Sequence, residues 1–86
     1  MYTVQTSKEV KKFLTKHPDL AERFVEKSER IEINPRNPQW ADVKPYIWHP
    51  NNYRLRIGKY RFLYEVIDER VLIYFYDADS RGDIYR

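Results

Sequence analysis

The stretch YRLRIGKYRF, residues 53–62, places apolar residues at alternate positions around a single glycine and sets Arg54, Arg56 and Arg61 between them. Alternation with a period of two marks a half-buried strand, and glycine in the first central position of a two-residue turn supplies the positive φ that a tight hairpin needs. A turn at Gly58-Lys59 predicts that Ile57 faces Tyr60, Arg56 faces Arg61, Leu55 faces Phe62, Arg54 faces Leu63 and Tyr53 faces Tyr64. The three arginines then share one sheet face. Tyr53, Leu55, Ile57, Tyr60, Phe62, Tyr64 and Val66 take the other, which is the face that helices would cover.

Reading outward from the hairpin, RVLIYFY (70–76) is a further strand, and KPYIWH (44–49) reads as a strand before it. Both are dense in aromatic and β-branched residues. If Asp68-Glu69 makes the next turn, Val71, Ile73 and Phe75 join the core, while Tyr74 and Tyr76 fall beside the arginines. Residues 35–43 hold two prolines and no periodic pattern, so they connect helices to sheet. Upstream, Tyr2 and Val4 suggest a short first strand. Ser7 can cap a helix bearing Val10, Phe13 and Leu14 on one face and ending near His17-Pro18. Asp19 and Glu22 have the spacing of a capping box for a second helix, whose Leu20, Phe24 and Ile31 run toward Asn34-Pro35. The order β-α-α-β-β-β-β predicts an α+β fold: an N-terminal strand and a helical hairpin packed on one face of a small, mainly antiparallel twisted sheet.

A chain of 86 residues supplies one modest core, so a single domain over residues 1–86 is expected. Hydrophobic residues make up 42% and charged residues 34%, a globular balance rather than a disordered one. No cysteine is present, which removes disulfides, thiolate catalysis and the usual structural zinc sites. The start, MYTVQTSKEVKK, has no apolar signal-peptide core, and nowhere do about 18 apolar residues run together. The cytoplasm is the expected location, with no membrane partner. A net charge of +3 permits an anionic partner without requiring one.

Like charges directly opposite across two strands are destabilising, so Arg56 facing Arg61 is a local penalty that an anionic ligand would relieve. Arginine offers a planar fork of donors to phosphate, and nearby tyrosines can stack bases. The plain alternative is that the arginines pair with Glu65 and Asp77 or stand in solvent.

The hairpin Tyr-Arg-x-Arg-x-Gly-x-Tyr-Arg, the lysine in Asp42-Val43-Lys44-Pro45, the helix-helix-sheet order and the terminal Arg81-Gly-x-x-Tyr85 together resemble the RelE/ParE toxin superfamily, specifically its RelE branch. The resemblance covers the whole chain. It implies a toxin of a toxin–antitoxin system that enters the ribosomal A site and cuts mRNA, neutralised by a cognate antitoxin and using no metal or other cofactor. The RNA 2′-hydroxyl attacks the adjacent phosphate, leaving a cyclic phosphate and a 5′-hydroxyl. Carried over residue by residue, the catalytic set is Arg54, Arg56, Arg61, Arg81 and Tyr85, with Lys44, Arg54, Arg56, Tyr74 and Tyr76 binding RNA. Arg81 would neutralise the phosphate, and Tyr85 would orient the 2′-hydroxyl or act as base. One departure stands out: several family members carry a basic residue shortly before the terminal motif, where this chain has Asp77 and Asp79. The ParE side of the superfamily offers a second reading, a toxin that inhibits DNA gyrase without cutting nucleic acid.

The remaining polar residues have simpler readings. His17 stands at a helix end, where the dipole favours it, and His49 beside Pro50 reads as a turn residue. Asp77, Asp79 and Asp83 lack a characteristic magnesium-ligand spacing and read as solvated turn acids. Trp40 and Trp48 read as core or interface aromatics. Lys8, Lys11, Lys12 and Lys16 form the wet side of the first helix, and the RelE-like reading implies that they also grip ribosomal RNA. Antitoxin docking predicts exposed apolar patches near the first helix or the edge strands.

Overall fold

The computed structural model of the chain describes residues 1–80; the expectations for Arg81, Asp83 and Tyr85 lie outside them. The elements are β1 (Thr3–Thr6), α1 (Lys8–Thr15), α2 (Pro18–Ile33), β2 (Asp42–Pro45), β3 (Asn52–Ile57), β4 (Tyr60–Ile67), a 3-10 turn (Asp68–Arg70) and β5 (Leu72–Ser80). The strands form one sheet in the order β1-β5-β4-β3-β2. All neighbours are antiparallel except β1, which pairs with β5 in parallel.

The hairpin turns at Gly58, whose φ is +60°, and β3 meets β4 in the register that its sequence predicts, from Ile57 opposite Tyr60 to Tyr53 opposite Tyr64. With register fixed, period-two alternation sends Leu55, Ile57, Phe62, Tyr64 and Val66 into the core. The helices meet them with Val10, Leu20, Phe24 and Ile31. The centre is aromatic: the Phe24 ring lies 4.8 Å from both Phe62 and Phe75, and Tyr64 lies 4.9 Å from Phe75. Such pairs add about 0.5–1.5 kcal/mol each beyond the area they bury.

Ser7 caps α1, its hydroxyl accepting from the Val10 amide at 3.2 Å. The start of α2 is made differently from the expected capping box: Pro18 occupies the first turn, His17 is the N-cap, and no side chain caps the helix. Proline lacks an N–H and has its φ already set for a helix, so one orphan donor is gone without any help from Asp19. The His17 ring packs between Phe13 and Tyr60 at 4.6 and 5.1 Å, and its Nδ1 is 2.8 Å from the Phe13 carbonyl oxygen. It fastens the helix break to the hairpin.

Three other expectations change. The strand before the hairpin is Asp42–Pro45, so Tyr46, Ile47, Trp48 and His49 form a loop instead of extending it. Val71 does not join the core: the chain turns through Asp68–Arg70, leaving Val71 left-handed at φ 48° and 47% exposed. Of the core and interface readings of Trp40 and Trp48, the core one falls away, since both side chains are exposed. No helix among the described residues is long and apolar enough to cross a membrane.

Candidate RNA-binding face

On the sheet face away from the helices, cross-strand register arranges charges in rows. One row runs Asp42, Arg56, Arg61, Asp79 from β2 to β5, and the next runs Lys44, Arg54, Leu63, Asp77. The Arg56–Arg61 pair is therefore flanked by a carboxylate on each side. The two acids behave differently. Asp42 accepts from the Arg54 guanidinium at 2.9 Å and lies 3.8 Å from Arg56 Nε. Asp79 turns back to accept from the Ser80 amide at 2.7 Å, and Asp77 from the Ala78 amide at 2.9 Å. The arginines' acidic partner is thus Asp42, not Glu65 or Asp77.

This leaves the three arginines unequal. Arg54 is only 8% exposed and paired, and Arg56 is exposed but shares Asp42. The Arg61 side chain has neither an ion pair nor a hydrogen bond among the described residues. Among the described residues its guanidinium is the one of the three whose donors are uncommitted, which is what a ligand phosphate would need.

A β-bulge explains how Asp77 and Asp79 reach this face. Between Leu63 and Tyr64 the β4–β5 register shifts, so that Leu63 pairs with Asp77 and Tyr64 with Phe75, leaving Tyr76 as the extra residue. The extra residue reverses the alternation of β5, placing Ala78 toward the core and the two aspartates on the charged face. Tyr74 sits opposite Glu65 on the charged face. Tyr76 reaches the same face and donates its hydroxyl hydrogen to the Asn52 side-chain carbonyl. Burial, with Tyr46, Glu65 and Asp77 nearby, pushes the Tyr76 phenol up to about 12. It stays protonated at neutral pH and can donate to a ligand but not act as a base.

A cleft of about 480 Å³ opens at the β2 end of this face, with Lys44, Arg54 and Arg61 lining it beside Tyr46, Ile47 and Trp48. An equally large groove lies on the outside of α2, but Asp19, Glu22, Glu26 and Glu29 line it with Arg23, the wrong balance for a phosphate ligand. No group of three or more His, Cys, Asp or Glu side chains able to hold a metal ion occurs among the described residues. The structure brings Lys44, Arg54, Arg56, Arg61, Tyr74 and Tyr76 to one face. The sequence reading missed Asp42 as the organising acid and Trp48 as a wall of the cleft.

No protein-family model matches the sequence, and no curated protein does. Solved structures do match. The chain is similar to one from the archaeal RelE–RelB complex of Pyrococcus horikoshii OT3, at 29% identity and a TM-score of 0.80, covering 95% of this chain and 97% of that one. It is also similar to one from the RelB–RelE antitoxin–toxin complex of Methanococcus jannaschii, at 26% identity and a TM-score of 0.69, covering 93% of each. The isolated Escherichia coli RelE toxin shares the fold at 21% identity and a TM-score of 0.61, over 99% of this chain and 92% of that one, so the common architecture is the toxin's. With two helices on a five-stranded mixed sheet and a basic β3–β4 hairpin, the chain has the fold of the RelE-like toxins.

Proposed function

We propose that the 86-residue chain acts as one toxin domain that cuts mRNA in the ribosomal A site and is held inactive by a cognate antitoxin. The observation that carries this reading is Arg61, a guanidinium whose donors are uncommitted among the described residues, set in a cationic cleft on the β3–β4 hairpin. In the reaction, the 2′-oxygen forms a bond to phosphorus and the bond from phosphorus to the 5′-oxygen breaks. A cyclic phosphate and a 5′-hydroxyl result. The proton leaving the 2′-hydroxyl goes to a base and a proton from solvent reaches the 5′-oxygen.

Negative charge builds on the non-bridging oxygens as the bond forms, and a guanidinium already in place stabilises it without reorganising. Arg61 takes that role. Arg54 supports the floor of the cleft, while Arg56 and Lys44 bind the RNA backbone, with Tyr74 and Tyr76 beside them. Arg81 and Tyr85 complete the site in this proposal, Arg81 against the phosphate and Tyr85 toward the 2′-hydroxyl. The partners named for the similar structures support an antitoxin as the regulator.

Primer extension on mRNA incubated with purified protein, with and without programmed ribosomes, tests the proposal. Cuts in phase with codons that require ribosomes, and that vanish in Arg61→Ala and Arg81→Ala, are expected. No cutting, together with inhibition of gyrase supercoiling, would replace this reading with the ParE-like one.

A further inference from the structure

We propose that the β2–β3 loop is a nucleobase platform: the Trp48 indole stacks on a base of the mRNA while Lys44 and Arg61 hold the adjoining phosphate. This deepens the nuclease reading and rests on it. Trp48 is 67% exposed and Ile47 83% exposed, an unusual pair of large apolar side chains to leave in water. Both border the cleft that Lys44, Arg54 and Arg61 make cationic.

The loop is tied down, so the indole is presented rather than left loose. The Tyr46 amide donates to the Asn52 carbonyl at 2.8 Å, the His49 amide donates to the Tyr46 carbonyl at 3.3 Å, and the Asn52 side chain donates to the Pro50 carbonyl at 2.9 Å. Arg36 reaches across to Asn51 at 3.1 Å. Within this loop the Tyr46 and His49 rings pack at 5.9 Å, whereas Trp48 has no ring or hydrogen-bond partner among the described residues. A free aromatic face beside clustered cations matches a polyanion that carries flat rings, and single-stranded RNA is that ligand. Because stacking strength differs among bases, Trp48 would help set which codons are cut.

Two measurements test this. In a Trp40→Phe protein, Trp48 is the sole tryptophan. Its fluorescence is followed while a ten-nucleotide 2′-O-methyl RNA, which cannot be cut, is titrated in beside an abasic strand of equal length. The expected result is saturable quenching by the base-bearing strand, about tenfold weaker binding of that strand to Trp48→Ala, and equal binding of the abasic strand to both proteins. Equal affinity for the two strands, or unchanged binding by Trp48→Ala, overturns the proposal; loss of antitoxin affinity with RNA binding intact would do the same. On programmed ribosomes, Trp48→Ala should redistribute the cut sites and Trp48→Phe should keep the wild-type pattern, and an unchanged pattern in Trp48→Ala counts against the platform. Should the wild-type protein cut nothing, the nuclease reading falls and the oligonucleotide titration still decides the platform.

Discussion

Replacing Asp42 with Asn removes the acid that holds two arginines and should weaken the fold measurably, although Asp42 sits on a four-residue edge strand. The Arg54 side chain is 9% exposed and its guanidinium donates to Asp42 at 2.9 Å. A charge-assisted hydrogen bond contributes about 1.5–3 kcal/mol, and breaking a fully buried pair costs about 3–5 kcal/mol. The Asp42 side chain is 48% exposed, so water screens part of the interaction. The contact to Arg56 at 3.8 Å joins two half-exposed groups and adds at most about 0.5 kcal/mol. A loss of about 1.5–2 kcal/mol follows, a fall of roughly 10 °C in Tm for a domain of this size. Thermal melts of Asp42→Asn, Arg54→Met and the double variant give the coupling between the two positions, expected to exceed about 1 kcal/mol. A coupling near zero, or an Asp42→Asn protein that melts with the wild type, would refute the assignment of Asp42 as the partner of Arg54. The same substitution frees Arg56 and should tighten RNA binding with a steeper salt dependence.

Two further predictions concern the fold. Val71→Gly should raise Tm by a few degrees in a melt, because a β-branched residue held at φ 48° carries about 1–2 kcal/mol of strain that glycine escapes, less its larger unfolded-state entropy; a lower Tm would contradict this. Burial raises the phenols of Tyr64 and Tyr76 above their ordinary value of 10.0. A raised folded-state pKa gives stability that is complete below pH 10 and lost as pH climbs through the folded pKa. Stability should therefore fall above about pH 10 and fall less in Tyr76→Phe, as pH-jump unfolding would show.

What the sequence made legible was the part governed by short-range geometry. Gly58 fixed the hairpin turn, the turn fixed the register, and the register placed the arginines and the core together. The misreadings arose where a local rule had a competitor. Asp19 had the spacing of a cap, but Pro18 had already removed the donor that most needed one. Asp68-Glu69 looked like a two-residue turn, but the chain took a 3-10 turn there and put Val71 outside. Asp42 as partner to Arg54 depends on pairing across a loop whose length sets no register, and the bulge at Tyr76 has no glycine to announce it. Trp48 read as core or interface by composition, and only the loop's geometry shows that it faces water.

In the proposed reaction Arg61 is the catalytic cation, because Asp42 engages the other two arginines. Single-turnover cleavage of mRNA on programmed ribosomes, with saturating Arg61→Ala, Arg61→Lys and Arg56→Ala proteins, tests it most directly. Arg61→Ala should lose about 10²–10³ in rate, Arg61→Lys should recover part of that, and Arg56→Ala should lose only a few-fold. Equal losses at positions 56 and 61, or an Arg61→Ala protein that cuts at close to the wild-type rate, would contradict it.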